Sequence, residues 1–237
     1  MNRAGGEMRL AVIIPTLNEE AAIAQALESL LAQKNDLDLV IVADGGSTDG
    51  TLAVAQQHGA TIVAVGKPGR GGQVAAALRE LDHEVILIVH ADMIVPSGAL
   101  ALVRQSLVEK PECPGGCLGH RFDGARRMLR WTEWWDERRA RRGMSYGDQA
   151  QFFRRELLAA HGGFPDQPIM EDVELSRRLK RLGRPIYLDC PVVVSARRYA
   201  RLGWLRTTLA NFLIRLAYRL CGLRACQAIY RHYYGRR

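Results

Sequence analysis

The N-terminal part of the chain alternates short apolar runs with helical patterns, and this alternation limits the fold more than any other feature. The apolar runs are MRLAVII, LDLVIVA, ATIVAV and EVILIV, and helical patterns such as EEAAIAQALESLLAQ and TDGTLAVAQQHG lie between them. Strands that are apolar throughout are typical of a parallel sheet with helices on both faces. The sequence therefore predicts an α/β fold with a mostly parallel sheet flanked by helices.

Length and charge distribution indicate how the chain is organised. It has 237 residues, of which 48% are hydrophobic and 24% charged, so it can bury one large core. Ten arginines and no acid follow residue 189, so the net charge of +8 belongs to this end of the chain. We predict a main domain over 1–195, with halves 8–110 and 111–195, and a basic helical tail over 196–237.

The start of the chain and its cysteines bear on its location. The opening MNRAGGEMRL lacks the apolar segment of a secretory signal, and no run approaches the roughly 20 apolar residues of a spanning helix. Five cysteines, an odd number, suggest reduced thiols rather than a disulfide framework. We therefore predict a cytoplasmic protein.

Polar segments follow the predicted strands, at the ends where α/β sheets bind ligands. PTLNEE follows the first strand and lacks the glycines of G-x-G-x-x-G, so a pyrophosphate cannot approach the backbone closely there. ADGGSTDGT follows the second strand. Its Asp44 can accept a hydrogen bond from a base or a ribose hydroxyl, or it can satisfy the amides of its own turn.

The fourth predicted strand runs into His90 and Asp92, in LIVHADMIVP. Residues separated by one position project from the same side of an extended chain, so we expect both side chains to face one ligand. A carboxylate here can hold Mg²⁺ or Mn²⁺, which in turn can hold the phosphates of a nucleotide. The alternative is an aspartate that only caps a turn.

Two further segments offer polar groups to a cleft. In KPGRGGQ the glycines allow a close backbone approach and Arg70 can face a diphosphate, whereas the alternative is a flexible, solvated loop. In PIMEDVELSRRLKRLG, Glu171 and Asp172 stand at the start of a predicted helix. Adjacent acids on a helix point in different directions, which lets one cap the helix while the other faces the cleft.

Taken in order, these motifs resemble those of family 2 glycosyltransferases of the GT-A type. The chain has P-x-x-N-E-E after strand one, D-G-G-S-x-D-G-T after strand two, a D-x-D-like element after strand four and a later E-D pair. The resemblance covers roughly residues 8–195 and looks closest to a subgroup of small soluble members with H-A-D and G-D-Q. It implies a GT-A-like fold in which 8–110 bind the nucleotide and 111–195 form the acceptor half.

The resemblance also implies an activity and its residues. The implied reaction is inverting transfer of a sugar from a nucleoside diphosphate sugar to an unidentified acceptor, with Asp172 as general base beside Glu171. Asp92 would bind Mn²⁺ or Mg²⁺; His90 replaces the first aspartate of D-x-D, which leaves the number of metal ligands open. The residues implied at the donor are Pro15, Leu17, Glu19, Asp44, Arg70 and Asp92, with Arg197 and Arg198 at its phosphates. Those at the acceptor are Asp148, Gln149 and Trp135.

The acceptor-side and phosphate residues also have structural interpretations. Asp148 can cap a turn instead of binding hydroxyls. Trp131, Trp134 and Trp135 have i, i+3, i+4 spacing, which is more typical of a buried helix face than of a sugar platform. The arginines that follow PVVVS can simply be solvated.

Between residues 204 and 220 leucines and a phenylalanine share one helical face, and arginines with other polar residues share the opposite face. Such a helix can make peripheral contact with the inner face of a membrane, or it can pack its apolar face on the domain with its arginines outward. The Tyr and Leu content of the tail favours packing on the domain.

Two other functions are compatible with the sequence. A sugar nucleotidyltransferase also combines an α/β sheet with a metal-binding carboxylate, but it needs a glycine- and arginine-rich phosphate loop where this chain has PTLNEE. A non-catalytic protein could bind membrane or nucleic acid through its arginine tail, with steep salt dependence. We expect no specific nucleic-acid partner.

Overall fold

The computed structural model describes residues 8–124 and 126–234, and within them eight strands form one sheet. The strands are β1 (Leu10–Thr16), β2 (Leu39–Asp44), β3 (Thr61–Ala64), β4 (Val85–Ile88), β5 (Met93–Ile94), β6 (Gly115–Phe122), β7 (Gln151–Arg154) and β8 (Ile186–Val194). The helices are α1 (Glu20–Leu31), α2 (Thr51–Gln57), α3 (Arg70–Arg79), α4 (Ala99–Glu109), α5 (Arg127–Ala140), α6 (Arg155–Ala159), α7 (Glu171–Leu182), α8 (Arg197–Leu202), α9 (Trp204–Cys221) and α10 (Leu223–Tyr234).

The strand order is β3-β2-β1-β4-β7-β6-β8-β5. The first four strands are parallel to one another, as their apolar runs predict. β7 runs antiparallel between β4 and β6, β8 is parallel to β6, and the short β5 pairs antiparallel with β8 at the edge. Parallel pairings therefore outnumber antiparallel ones, and the second half of the chain completes the sheet that the first half begins.

The strand β1 explains why an unbroken apolar run is needed. All seven of its residues are buried. Leu10, Val12 and Ile14 pack in the layer with α1 and α4, whereas Ala11 and Ile13 pack in the layer with α3 and α7. Successive side chains of a strand point to opposite faces, so a strand covered on both sides must be apolar at every position.

The carboxyl ends of β2, β1 and β4 lie at one edge of the sheet, because these neighbouring strands are parallel. Gln73 joins two of these ends: its side-chain amide donates to Thr16 O at 2.7 Å and to Ala43 O at 2.8 Å. Both Gln73 and Gly71 are buried in the first turns of α3. The alternative that this segment is a flexible, solvated loop is therefore wrong from Arg70 onward.

The residues after β4 do not continue as an extended strand. The Met93 N–H donates to His90 O at 3.1 Å and closes a turn that contains Asp92, and β5 starts only at Met93. The rule that alternate residues share a side holds for extended chain alone. The prediction that the side chains of His90 and Asp92 face one ligand is therefore unsupported by this backbone.

Two expectations about apolar stripes are wrong. The tryptophans of α5 are exposed rather than buried, and the leucine face of α9 points to solvent rather than onto the domain. The face of α9 that is buried instead carries Thr207, Ala210 and Ile214.

Some predictions concern residues that the structure does not describe, and one concerns a division of the chain that the structure does not test. Residues 1–7 of the opening MNRAGGEMRL lie outside the described residues, and so do residues 235–237 of the tail. The division into 1–195 and 196–237 stays a prediction; β8 ends at Val194 and α8 begins at Arg197.

Among the described helices, none is long and apolar enough to cross a bilayer.

Candidate active site

A small pocket opens where the ends of β1 and β4 face the start of α7. Its lining includes Pro15, Arg70, His90, Gln151, Glu171 and Asp172. Three of the predicted donor or metal residues, Pro15, Arg70 and His90, lie beside the two predicted catalytic acids here, although they are far apart in sequence. The strand-end residues and the acid pair therefore meet at one place in the fold.

The backbone before α7 is in an unusual conformation. Met170 has φ 63° and ψ 16°, in the left-handed region, although it is not glycine. Such residues carry conformational strain and cluster at functional sites. The turn at Met170 starts the helix at Glu171, so both acids lie in its first turn, where the helix dipole favours negative charge.

Asp172 is anchored by two backbone amides. Its Oδ2 accepts a hydrogen bond from Gly147 N at 2.8 Å and its Oδ1 accepts one from Val173 N at 2.8 Å. A Cβ on Gly147 would lie 2.8 Å from His90 Nε2 and 3.3 Å from Asp172 Oδ2, so glycine is required by close approach. The carboxylate of Asp172 and the imidazole of His90 thus flank the same backbone atom.

The buried Glu171 forms an ion pair with the partly exposed Arg70 instead of capping the helix. Arg70 Nε lies 3.0 Å from Glu171 Oε1, and α7 has no side-chain cap. Burial raises the pKa of Glu171 to about 7, although the Arg70 guanidinium acts in the opposite direction. The Glu171 carboxylate in turn raises the pKa of Arg70. Glu171 Oε2 is buried and has no hydrogen-bond partner among the described residues.

His90 lies beside Arg70 and is neutral. Arg70 Nη1 lies 3.5 Å from His90 Nε2. Burial, together with the charge of Arg70, lowers the pKa of His90 to about 3. A guanidinium beside the imidazole disfavours a second cation at Nε2, so this geometry does not fit His90 as a metal ligand.

Asp92 lies in a different set of contacts. Arg197 Nη2 is 3.3 Å from Asp92 Oδ2 and 2.6 Å from Glu19 Oε2, so one guanidinium bridges two carboxylates. The Asp92 side chain is 22% exposed and can be reached from solvent. Two carboxylates with one positive partner form a net negative site whose oxygen atoms fit Mg²⁺ or Mn²⁺.

Asp44 is used by its own turn, as the structural interpretation expects. Its Oδ2 accepts from Gly46 N at 2.8 Å and from Ser47 N at 2.9 Å, and its Oδ1 accepts from the Ser47 hydroxyl at 2.5 Å. Leu17 is half-buried in the turn that follows β1. Asp44 and Leu17 flank the same strand-end edge, and the contacts of Asp44 hold the ADGGS turn in shape.

The predicted acceptor residues differ in their exposure. Gln149 is fully buried, and its Oε1 accepts from Arg139 Nη2 and from Tyr146 N, both at 3.2 Å. Trp135 lies on the exposed side of α5. Only Asp148 keeps a carboxylate oxygen, Oδ1, that has no hydrogen-bond partner among the described residues. The exposed Trp135 is therefore set apart from the other two residues, which lie beside Asp136 and Arg139.

Asp148 belongs to a cluster that sequence reasoning missed. Single ligand atoms of His120, Asp136 and Asp148 lie within 4.8 Å of one another, and His120 Nε2 is 3.7 Å from Asp136 Oδ2. Arg139 forms an ion pair with Asp136, whose pKa is raised by burial. These residues come from β6, α5 and the 3₁₀ turn before β7, and no local motif connects them.

Gln151 is another residue that no sequence signal identified. Its side-chain amide donates to the Asp172 carbonyl at 3.0 Å and to the hydroxyls of Ser145 and Ser176 at 3.0 and 2.9 Å. It therefore joins β7 to the first turns of α7 and supports the position of the acid pair. Only the pairing of β7 with β4 places it there.

The arrangement of the sheet and its edge is that of GT-A type glycosyltransferases, as solved structures indicate. A mannosyltransferase from Pyrobaculum calidifontis, solved with GDP-Man and Mn²⁺, aligns with a TM-score of 0.68 and 25% identity over 86% of this chain and 61% of that one. Glucosyl-3-phosphoglycerate synthase from Mycobacterium tuberculosis, solved with Mn²⁺, UDP and glucosyl-3-phosphoglycerate, has the same fold, with a TM-score of 0.62 and 23% identity over 88% of this chain and 80% of that one.

The family model described as Glycosyl transferase family 2 matches residues 11–159, and the chain belongs to this family. Among curated proteins, an uncharacterized glycosyltransferase of Mycobacterium bovis is 33% identical over 91 residues, which are 38% of this chain and 40% of that relative. The predicted α/β fold and the predicted family are confirmed. The chain matches less than half the length of that relative.

Proposed function

We propose that this protein is an inverting glycosyltransferase that moves a sugar from a nucleoside diphosphate sugar to an acceptor. The observation that carries the proposal is the position of Asp172. Its carboxylate is held by two amides in a pocket that also contains Pro15 near the end of β1 and His90, the second residue after β4. Family membership and the nucleotide-bound neighbours support the same donor class.

Asp172 is the general base in this proposal. Inversion requires a group that removes the acceptor's proton while the acceptor attacks from the face opposite the leaving diphosphate. Both oxygens of Asp172 accept amide hydrogen bonds, so the side chain is fixed in orientation, and each oxygen keeps a lone pair for a proton. Glu171, paired with Arg70, positions the first turn of α7 and does not act as a second base.

The donor occupies the strand-end edge in this proposal. Pro15, Leu17, Glu19 and Asp44 would line the nucleotide side, and Arg197 with Arg198 would contact the diphosphate. The bridge from Arg197 to Glu19 and Asp92 supports this, because it places Arg197 beside the proposed metal ligand, where a diphosphate held by the metal would come within its reach.

A divalent cation belongs to the same proposal. Asp92 would hold Mn²⁺ or Mg²⁺; Mn²⁺ is present in two of the neighbours. When bound, the ion would offset the charge that grows on the diphosphate leaving group. The His120, Asp136 and Asp148 cluster is a second place with ligand atoms for a cation, but Arg139 already neutralises part of its charge.

The acceptor half and the location complete the proposal. Asp148, whose Oδ1 has no hydrogen-bond partner among the described residues, is the candidate for an acceptor or sugar hydroxyl, and Gln149 would support it through Arg139. We expect the enzyme to work in the cytoplasm, in contact with the inner face of a membrane through residues 204–220.

Replacing Asp172 with asparagine tests the function. We expect release of nucleoside diphosphate from the cognate nucleotide sugar, assayed with Mn²⁺, to fall by about 10²–10⁴-fold. Nucleotide affinity, measured by calorimetry, should stay within a few-fold. Asp166→Asn is the matched control, because Asp166 is an exposed acid in the same connection before α7.

Two results would contradict the proposal. The first is a full rate in Asp172→Asn. The second is the absence of nucleotide-sugar binding across a panel of donors. Release of pyrophosphate from a nucleoside triphosphate and a sugar phosphate would instead support a nucleotidyltransferase.

A further inference from the structure

The helix α9 presents its apolar stripe to solvent. The stripe recurs at spacings of three and four residues along four turns, so its members share one side of the helix. Their exposure ranges from 39% to 72%. The members are Leu205, Leu209, Phe212, Leu216 and Leu220. The helix is held on the domain by its opposite face, so the stripe is not needed for packing.

The helix α5 exposes a second apolar group. Its members are Met128, Trp131, Trp134 and Trp135, between 48% and 66% exposed. The Arg138 guanidinium stacks over the Trp134 ring at 4.7 Å. Tryptophan has an apolar ring with one polar N–H, a combination that is favoured where apolar and aqueous phases meet.

The two helices lie next to each other. The Trp204 indole at the start of α9 donates to Thr132 Oγ1 in α5 at 3.0 Å. Further along, the Tyr146 ring is contacted by Arg139 of α5 at 3.5 Å and by Arg215 of α9 at 5.2 Å. We call the exposed apolar residues of both helices together the docking face.

The charges around the docking face are positive. Arg206 and Arg219 are exposed on α9, and the chain carries no acid after residue 189. On α5 the acids are engaged: Glu133 accepts from Phe122 N at 2.8 Å and Glu137 pairs with Arg141 at 2.8 Å. The docking face thus combines nine large apolar side chains with a cationic border.

This combination of apolar and cationic side chains favours one kind of binding partner. Exposed apolar groups of this size on two neighbouring helices are unusual in a monomer, so we expect this surface to have a partner. A second copy of the chain would bring arginines against arginines across a symmetric contact. An anionic bilayer supplies both an apolar phase for the leucines and tryptophans and negative headgroups for the arginines.

We propose that the docking face lies in the headgroup region of an anionic bilayer, with the helix axes along the membrane plane. This inference rests on the membrane contact in the proposed function, to which it adds the α5 tryptophans and an anionic lipid, but it does not depend on sugar transfer. It also joins the membrane contact to the pocket, because Tyr146, held between the two helices, directly precedes Gly147, whose amide binds Asp172.

Vesicle flotation of the full chain tests the proposal. We expect it to float with vesicles of phosphatidylcholine containing about 30 mol% phosphatidylglycerol, and to float much less with phosphatidylcholine alone. Binding should weaken when the salt is raised to about 0.5 M, because the headgroup attraction is screened. The triple variant Leu209→Ser, Phe212→Ser, Leu216→Ser should bind at least about 30-fold more weakly.

Two further variants keep the result interpretable. Val108→Ser removes an equally exposed apolar side chain from α4, away from the docking face, and should bind like the unmodified chain. Trp131→Ser with Trp134→Ser tests the α5 half and should also weaken binding. All these side chains are exposed, so the melting temperature should change little, and a variant that keeps its melting temperature but loses flotation supports the proposal.

Three outcomes would overturn the proposal. One is no flotation of the unmodified chain on anionic vesicles. Another is equal flotation of the triple variant. The third is that the unmodified chain sediments as a dimer and the triple variant as a monomer, which would make the docking face a contact between two copies of the chain. Calorimetry of nucleotide binding on the same samples separates these results from failure of the proposed enzyme activity.

Discussion

Replacing Arg70 with methionine should make the free energy of unfolding decrease with rising pH in a range where Glu171 of the unmodified protein has already lost its proton. In the unmodified protein the pKa of Glu171 is about 7, against an ordinary value of 4.5. The folded state thus binds a proton that the unfolded state lacks, and stability decreases as pH rises from about 4.5 to about 7. Without the guanidinium 3.0 Å away, burial acts alone and moves this pKa above 7.

The magnitude follows from proton linkage. Below pH 7 the Glu171 carboxyl of the folded state is protonated in both proteins. The free energies of unfolding of the two proteins therefore change with pH in parallel. Above pH 7 the free energy of unfolding of the variant continues to fall, by up to about 1.4 kcal/mol per pH unit, until the pH reaches the pKa of Glu171 in the variant. Arg70 is 38% exposed, so solvent screens the pair and this slope is an upper limit. In a chain of this size the gap in Tm should widen by at most about 3–6 °C per pH unit.

Calorimetric melting of both proteins across about pH 6–9 measures this effect. In the unmodified protein the pKa of His90, about 3, lies far below this range; in the variant the loss of the Arg70 charge raises it, while burial still lowers it. The control is the same pair of proteins in a Glu171→Gln background, where the widening should vanish. A constant gap at all pH values, or a widening that persists with glutamine, would refute the assignment of the buried charge to the Arg70–Glu171 pair.

Two further predictions concern the metal and the loop glycines. Asp92→Asn should weaken Mn²⁺-dependent nucleotide binding by at least about 10-fold, since losing even a supporting group of a metal ligand costs this much. Asp148→Asn should not, and the opposite order in calorimetry would move the metal to the His120 cluster. Gly71→Ala should lower stability by about 1–3 kcal/mol in thermal unfolding, because overpacking is costly and the new Cβ would lie 2.1 Å from Gln167 O. Gly72→Ala, whose Cβ meets only a side-chain oxygen at 3.3 Å, is the control, and equal effects of the two would contradict the argument.

The sequence identified the four parallel strands of the first half of the chain. The four parallel strands follow from apolar runs that a doubly covered sheet requires, and the acid pair at the start of α7 follows from its motif. Pro15, Arg70 and His90 come from three separate segments, and they line one pocket with Glu171 and Asp172. Each of these sequence signals lies within a few neighbouring residues, which is why it can be recognised without the fold.

The failures concern partners that are distant in sequence. His90 and Asp92 are only two positions apart, yet a turn hydrogen bond directs the imidazole to Arg70 and leaves the carboxylate to Arg197. The cluster around His120 needed three elements to be placed before it could be recognised. Gln149 looked like a ligand residue in its motif, but α5 covers it completely.

By itself, the order of apolar and polar residues determined an α/β sheet, its first four strands and the edge at which the chemistry is gathered, because burial on both faces demands apolar residues at every position of a strand. Only the tertiary structure decided which side of an amphipathic helix is buried. In α9 the small and β-branched face fits closely against the domain and the leucines remain outside, a choice that periodicity cannot make because both faces repeat with the same period.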